Sequence, residues 1–377
     1  MMMENIGLNS EIQAGGKTFH VQTQYLEADK KITANVFEDG RLLTGKSVEV
    51  VSETPAPEMK VLLNRLHRET SNEIEMLFYI SDKVRTIQHS ISNNKLGLVF
   101  LKKNLYDEAI REFQSALDID PGFMEAYSNL GKAYLKKKML QQAKEIFEQG
   151  IKNNSLYPDF HNNLGFTHYL LNDMKDAVQG LLKALEINPE YTDAQLNLCI
   201  VYLKSIVDDN FDKSLPPKIE RMNNTKELLG KILEKDSIYK PEYITKALER
   251  IEENDYQKAH EALELCQADP DLTFDLEIEN EFYLNFMFGG KGKDDSYIQN
   301  YTDQLTAMIE KYPEFPDLRN SLGIANLIQC RNLFLNALEE FRSALKINPG
   351  YKKAAKNLKL AENDGKGFLI LLRAILK

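Results

Sequence analysis

The feature that most constrains this chain is a repeat of 34 residues that begins at about residue 90. The small residues that recur at this spacing are Gly97, Gly131, Gly165 and Cys199 in one series and Ala109, Ala143 and Ala177 in another. Self-similarity at a fixed period is typical of arrays in which one unit cannot bury its own apolar face and stacks on its neighbours. The repeat therefore predicts an elongated helical array with one long concave surface.

The residues within a unit indicate two antiparallel helices. The segment LGLVFLKKNLYDEAIREFQSALDIDP, residues 96 to 121, places small residues where two helices would cross, Phe113 between layers and Pro121 after the second helix. In this order it resembles the tetratricopeptide repeat family. The resemblance implies a mainly α fold, a right-handed α-solenoid of stacked helix pairs, and a role in binding proteins or peptides.

Changes of pattern divide the chain into four regions. We expect a small antiparallel β-domain in residues 1–53, a linker and connector helix in 54–89, regular repeats in 90–239, and divergent repeat-like helix pairs with a C-terminal capping helix in 240–377. The fourth repeat carries an insertion at about 205–217. An inserted loop of this size is expected on the surface.

The first region alternates polar and apolar residues at period two and contains Asp39-Gly40, a strong hairpin signal. It predicts three strands, about 18–26, 32–38 and 41–50, which can bury only one face. That face must pack on a helix, on the array or on a second copy, which suggests a homodimer through the β-domain or the connector helix. The connector fits either a packed helix or a short coiled coil.

Two short segments before the repeats, Phe19 to Thr23 and Ile32 to Gly40, resemble a strand and hairpin that precede such repeats in some bacterial proteins. This resemblance implies a bacterial cytoplasmic protein. The N-terminus lacks the basic start and apolar centre of a signal peptide, which favours the same location. The longest apolar runs fall far below the roughly 18 residues of a membrane span.

The C-terminal region departs from the regular pattern. Gly289-Gly-Lys-Gly292 lacks the spacing of a phosphate-binding loop and is predicted to be a turn between helices. A seventh repeat at about 320–349 restores the pattern with two extra residues between Gly323 and Ala337, which predicts another helix pair. The final GFLILLRAIL is predicted to cap the array.

Charge and residue spacing exclude several function classes. A net charge of −10 argues against binding to nucleic acid or anionic lipid. The six histidines form no pair with metal-ligand spacing, and His168 occupies a packing position that is Phe100, Tyr134 and Tyr202 in the other repeats. We expect no catalytic residue, no metal and no cofactor. The alternative is an enzyme or ligand sensor in the divergent region 205–310, with the repeats as its docking arm.

Three asparagines mark the candidate binding site. Asn129, Asn163 and Asn197 each stand directly before the leucine that precedes the repeated small residue, a position that in tetratricopeptide repeats faces the concave groove. An asparagine amide can pair with both C=O and N–H groups of a peptide backbone. The neighbours on the same helical face are the acids Glu125, Asp159 and Asp193, one turn earlier, and Lys132 and Phe166, one turn later.

These residues predict a non-catalytic scaffold or adaptor that holds an extended or helical partner segment in the groove. The acids favour a partner that contains Lys or Arg. A second interpretation is that asparagine is common at this position of the family and that an acid in the first helical turn complements the helix dipole.

Overall fold

The computed structural model describes residues 7–51, 54–208, 215–235, 239–268, 277–313 and 315–375. The chain forms two compact units, Met1–Asp275 and Leu276–Lys377. The described part of the first unit is an antiparallel sheet followed by a helical array, and that of the second is helical. The predicted fold class, mainly α with an N-terminal β-sheet, is confirmed.

The described part of the N-terminal sheet has four antiparallel strands in sequential order. They are β1 Gly7–Ala14, β2 Lys17–Leu26, β3 Lys31–Glu38 and β4 Arg41–Glu49. The predicted number of three was wrong, because β1 is a largely polar edge strand in which only Ile12 is buried. The overlooked signal is Gly15-Gly16, which turns β1 into β2 with both residues at positive φ, 59° and 78°.

The long helix α1, Ala56–Ile87, covers the apolar face of the sheet. The buried side chains at their contact are Ile32, Ala34, Val50, Met59, Leu63 and Leu66. Farther along α1, Ile74, Leu77, Ile80 and Val84 are also buried. The connector is therefore a packed helix. Its packing buries the apolar face of the sheet, which the strands alone could not do.

Aromatic and polar contacts fix the sheet to the first repeat. The rings of Phe19 on β2, Phe78 on α1 and Phe100 on the next helix form a chain with 5.4 Å between successive centroids. The ammonium of Lys17 lies 2.7 Å from carboxylate oxygens of both Glu38 and Glu108. The sheet, the connector helix α1 and the first repeat thus pack against one another.

Helix pairs follow α1. They are α2 Ser90–Lys102 with α3 Tyr106–Ile119, α4 Met124–Lys136 with α5 Leu140–Asn153, α6 Pro158–Leu170 with α7 Met174–Ile187, and α8 Thr192–Val207 with α9 Lys218–Leu233. The first helix of each of the first three pairs ends beside a residue of positive φ, Asn104, Lys138 or Asn172. This left-handed residue lets the chain reverse within a few residues.

The array changes after the fourth pair. Helix α8 continues to Val207 and α9 begins at Lys218, while residues 209–214 of the expected insertion lie outside the described residues. Next come α10 Pro241–Glu252 and α11 Tyr256–Ala268. Helix α11 packs extensively against α8, whereas α10 touches α9 only lightly.

The second unit contains α12 Glu277–Met287, α13 Asp295–Lys311, α14 Pro316–Ile347 and α15 Lys352–Ile375. Its Gly289–Gly292 segment joins α12 to α13, as predicted. The prediction of a helix pair at about 320–349 was wrong, because α14 continues through this segment as a single helix. Asn332, at the would-be turn, is buried and donates from Nδ2 to Oδ1 of Asp295 at 2.9 Å, while Arg331 donates to the carbonyl of Gly292.

The C-terminal apolar run lies in α15, but the side chains of residues 368–375 lie outside the described residues, so the cap stays a prediction. Among the described helices, none combines the length and the apolar character that crossing a bilayer requires.

Candidate partner-binding groove

The first helices of successive repeats line one surface. Helices α2, α4, α6 and α8 lie side by side, and α3, α5 and α7 pack behind them. The glycines of the repeat face the second helix: a Cβ on Gly131 would lie 2.2 Å from the ring of Phe147, and one on Gly97 would lie 2.5 Å from the ring of Phe113. The side of each first helix opposite its glycine is therefore the inner side of the array.

The incompletely buried residues on this side of the first helices recur at helical spacing. They are Ile91, Lys95 and Leu98 on α2, Glu125, Asn129, Lys132 and Lys136 on α4, and Asp159, Phe166 and Leu170 on α6, with the buried Asn163 between the last two. We call these residues the inner surface. It brings together six of the eight residues predicted from the sequence, Asn129, Asn163, Glu125, Asp159, Lys132 and Phe166.

The asparagine amides contact one another across neighbouring helices. Asn129 donates from Nδ2 to Oδ1 of Asn94 on α2 at 2.9 Å, and Asn197 donates in the same way to Asn162 on α6 at 2.9 Å. Asn163 is 8% exposed, and its Nδ2 has no hydrogen-bond partner among the described residues. Two of the three amides thus connect adjacent helices, and the third carries a buried donor for which the described part of the chain supplies no acceptor.

The partners Asn94 and Asn162 were not predicted from the sequence. The signal that could have found them is their position: each stands 35 residues before the asparagine that it binds, one residue more than the repeat. A contact across the inner side of two stacked units requires this offset.

The acids of the groove join repeats to one another. Asp159 accepts hydrogen bonds from the hydroxyls of Ser128 and Tyr191, the latter at 2.7 Å, and lies 3.4 Å from the ammonium of Lys132. Burial raises the pKa of Asp159, but the charge of Lys132 and these hydrogen bonds outweigh it, so the pKa lies below its usual value. Asp193 accepts from the hydroxyl of Tyr239 at 2.9 Å.

Helix α11 covers the end of this surface at α8. Gln267 on α11 donates from Nε2 to Oδ1 of Asn197 at 2.5 Å, and the hydroxyl of Tyr169 on α6 lies 3.1 Å from Nε2 of His260. Asn197 is only 6% exposed as a result. The structure therefore separates Asn197 and Asp193, which contact other parts of the chain, from the inner surface on α2, α4 and α6.

Replacing Tyr191 by Phe should lower the free energy of unfolding by about 1.5 to 3 kcal/mol at neutral pH, because a partly buried hydrogen bond to a charged acceptor is lost. The pKa of Asp159 is lowered in the folded protein, so this contribution is present above the usual pKa of 3.8 and is lost as pH falls through the folded value. Urea unfolding of both proteins over a pH series measures it.

The matched control is Tyr106→Phe, since that hydroxyl donates to the neutral amide oxygen of Asn104 at 2.7 Å. The Tyr106→Phe variant should lose less free energy of unfolding than Tyr191→Phe, and this loss should not vary with pH in the acidic range. Equal, pH-independent penalties for the two variants would contradict the assignment of Asp159 as a charged acceptor.

The region 205–310 is the alternative location for a functional site. In the part of it that the structure describes up to residue 268, apolar residues form a packed core. Leu229 of α9, Ile244 of α10 and Leu263 of α11 belong to one core with Leu196 and Ile200 of α8. The described residues of this region bring no observation that favours an enzyme or a sensor.

Family comparisons agree with the repeat pattern. Residues 97–138 match a model described as TPR repeat, and residues 125–155 and 158–191 match one described as tetratricopeptide repeat. No curated protein matches the chain.

Among solved structures, the chain is similar to MamA from Desulfovibrio magneticus RS-1, with 16% identity, 48% of this chain and 97% of that chain covered, and a TM-score of 0.37. It is similar to the first TPR domain of human RPAP3, with 21% identity, 33% and 97% coverage, and a TM-score of 0.31. It is also similar to YrrB, described as a TPR protein with an unusual peptide-binding site, with 17% identity, 54% and 97% coverage, and a TM-score of 0.32.

Proposed function

Because residues 97–155 and 158–191 match tetratricopeptide repeats, we propose that this protein is a non-catalytic scaffold or adaptor that binds a segment of a partner protein on its inner surface. Stacked helical repeats use such surfaces to hold extended or helical peptides. The segment would lie across α2, α4 and α6, since α11 already occupies the surface of α8.

One observation carries this proposal: the inner surface keeps a buried polar group that the described residues do not satisfy. The buried Nδ2 of Asn163 has no acceptor among the described residues, and Asn129, which donates from Nδ2 to Asn94, keeps a partly exposed side chain. A buried donor without a partner costs about 1 to 3 kcal/mol, and a partner's carbonyl would relieve this cost when the Asn163 side chain turns toward the groove. Phe166, half-buried beside Tyr169 at 5.5 Å between ring centroids, adds an apolar contact for a side chain.

The proposed preference for a partner with Lys or Arg rests mainly on the charge of Glu125. Asp159 and Asp193 already accept hydrogen bonds within the chain, and Lys132 partly compensates the charge of Asp159. Glu125 is exposed at the start of α4 and faces the same side as Asn129. The charge of this one acid, with the net charge of −10, is what would attract a basic residue.

The test begins with a phage-displayed library of random 15-residue peptides selected against the full chain, followed by calorimetry on the selected peptide. Asn129→Ala and Phe166→Ala should each weaken binding by about fivefold or more, because each removes one contact worth about 1 kcal/mol. Melting curves followed by circular dichroism verify that both variants keep the fold.

The control is Asn153→Ala, which changes an exposed asparagine on the outer helix α5 and should leave the affinity unchanged. Failure to select any peptide, or equal affinity for the wild type and both inner-surface variants, would refute the proposal.

Homodimerisation, cytoplasmic location and bacterial origin stay predictions from the sequence. The apolar face that suggested a homodimer is covered by α1, so no contact in the described residues carries that suggestion further.

A further inference from the structure

The turn between α6 and α7 differs from the turns of the first two repeats at positions 168 and 173, which are five residues apart. In all three turns the amide of the second position donates to the carbonyl of the first at 2.9 Å, in the pairs Leu105 to Phe100, Met139 to Tyr134, and Asp173 to His168. The backbone is therefore the same, but the apolar pair of the first two repeats is replaced by an imidazole and a carboxylate. The fold does not require this exchange.

The exchange leaves a ring nitrogen buried without a hydrogen bond. His168 is 7% exposed, and its Nδ1 makes no hydrogen bond with the described residues. It lies 3.3 Å from Oδ2 of Asp173. Asp176, in the first turn of α7, brings a second carboxylate, and one atom of each of the three side chains lies within 4.8 Å of the others.

Helix capping accounts for only part of this arrangement. Asp173 precedes α7 and accepts from the amide of Asp176 at 3.4 Å, and acids in a first helical turn complement the helix dipole. Neither effect needs an imidazole at position 168. A buried nitrogen beside two solvent-exposed carboxylates matches the donor set of a metal site with open positions for water.

We propose that His168, Asp173 and Asp176 bind a divalent transition-metal ion at this turn. One imidazole and two carboxylates suit Zn²⁺ or Co²⁺, whereas Ca²⁺ and Mg²⁺ prefer oxygen ligands alone. Nδ1 of His168 and one oxygen from each aspartate are the ligand atoms. The ion would tie the end of α6 to the start of α7, which fixes the third repeat next to the inner surface.

The test uses the full chain without an affinity tag, after chelator treatment, titrated with Co²⁺. The visible absorption of Co²⁺ reports its ligands directly, and calorimetry reports stoichiometry. We expect saturation at one ion per chain. His168→Phe, which restores the residue type of the first repeat, and Asp176→Asn, which changes an exposed side chain, should each weaken binding by at least about tenfold.

The control is His161→Gln, on the same helix, whose ring nitrogen Nε2 pairs with the carbonyl of Ser155 at 2.9 Å. This variant should bind Co²⁺ like the wild type. Absence of saturable binding up to about 1 mM Co²⁺, or binding that both His168→Phe and Asp176→Asn leave intact, would overturn the proposal.

Discussion

Replacing Gly131 by Ala should destabilise the repeat array by about 1 to 3 kcal/mol, although alanine is the better helix former. A Cβ at this position would lie 2.2 Å from Cε1 and 2.3 Å from Cζ of Phe147. Phe147 is fully buried and cannot move aside without displacing the α4–α5 contact. Overpacking should therefore outweigh the gain in helix propensity.

The matched control is Gly230→Ala on α9, where no atom of the described residues lies within 4 Å of the added Cβ. This variant should be more stable than the wild type by about 0.5 to 1 kcal/mol, because alanine loses less backbone entropy in a helix. Urea unfolding followed by circular dichroism compares the two. A shift of the same sign for both variants would mean that the α4–α5 contact is looser than the structure shows.

Replacing Phe78 by Ala should lower the free energy of unfolding by about 3 to 5 kcal/mol, the range for a buried aromatic side chain. Phe78 is 5% exposed and lies between Phe19 of the sheet and Phe100 of α2, at 5.4 Å from each ring. Its loss would leave a cavity where sheet, connector and first repeat meet. Urea unfolding gives the change in stability, and hydrogen exchange should show the sheet opening first.

The neighbouring Tyr79 supplies the control, since it is 50% exposed on the same helix. Tyr79→Ala should change stability by no more than about 0.5 kcal/mol. If Phe78→Ala were as mild as Tyr79→Ala, the sheet would not depend on this aromatic contact.

The period of the sequence predicts most of the regular array because the contacts that build it are local and recur. Gly131 meets Phe147 within one unit, and Gly97 meets Phe113 in the same way in the unit before it. The face occupied by Asn129, Lys132 and Phe166 follows from helical spacing for the same reason. Residues at i, i+3 and i+4 must share a side of the helix.

Contacts between distant parts of the chain are what the sequence could not indicate. The packing of α11 on α8 brings Gln267 to Asn197, 70 residues away. No period marks that contact, so Asn197 looked equivalent to Asn129. The prediction of a seventh repeat was wrong for a related reason: the residues that should form its turn contact Gly292, in the segment between α12 and α13, and Asp295, the first residue of α13.

The groove is where local pattern and function are hardest to separate. Asn129 and Asn197 bind asparagines of the preceding first helix, which supports a structural role for the ladder. Asn163 has the same sequence position, yet Ser128, which stands where Asn94 and Asn162 stand in the other pairs, donates to Asp159 instead. The result is a donor in one repeat that no described residue satisfies, which only the structure reveals.

The central claim, that a peptide binds on the inner surface, is tested most directly by photo-crosslinking. The library-selected peptide is synthesised with a benzophenone side chain and crosslinked to the full chain. Mass spectrometry then locates the residues to which it is attached. Binding on the inner surface predicts crosslinks on α2, α4 and α6, around Lys95, Asn129, Lys132 and Phe166. Crosslinks concentrated on the outer helices α3, α5 and α7, or within Leu276–Lys377, would contradict it.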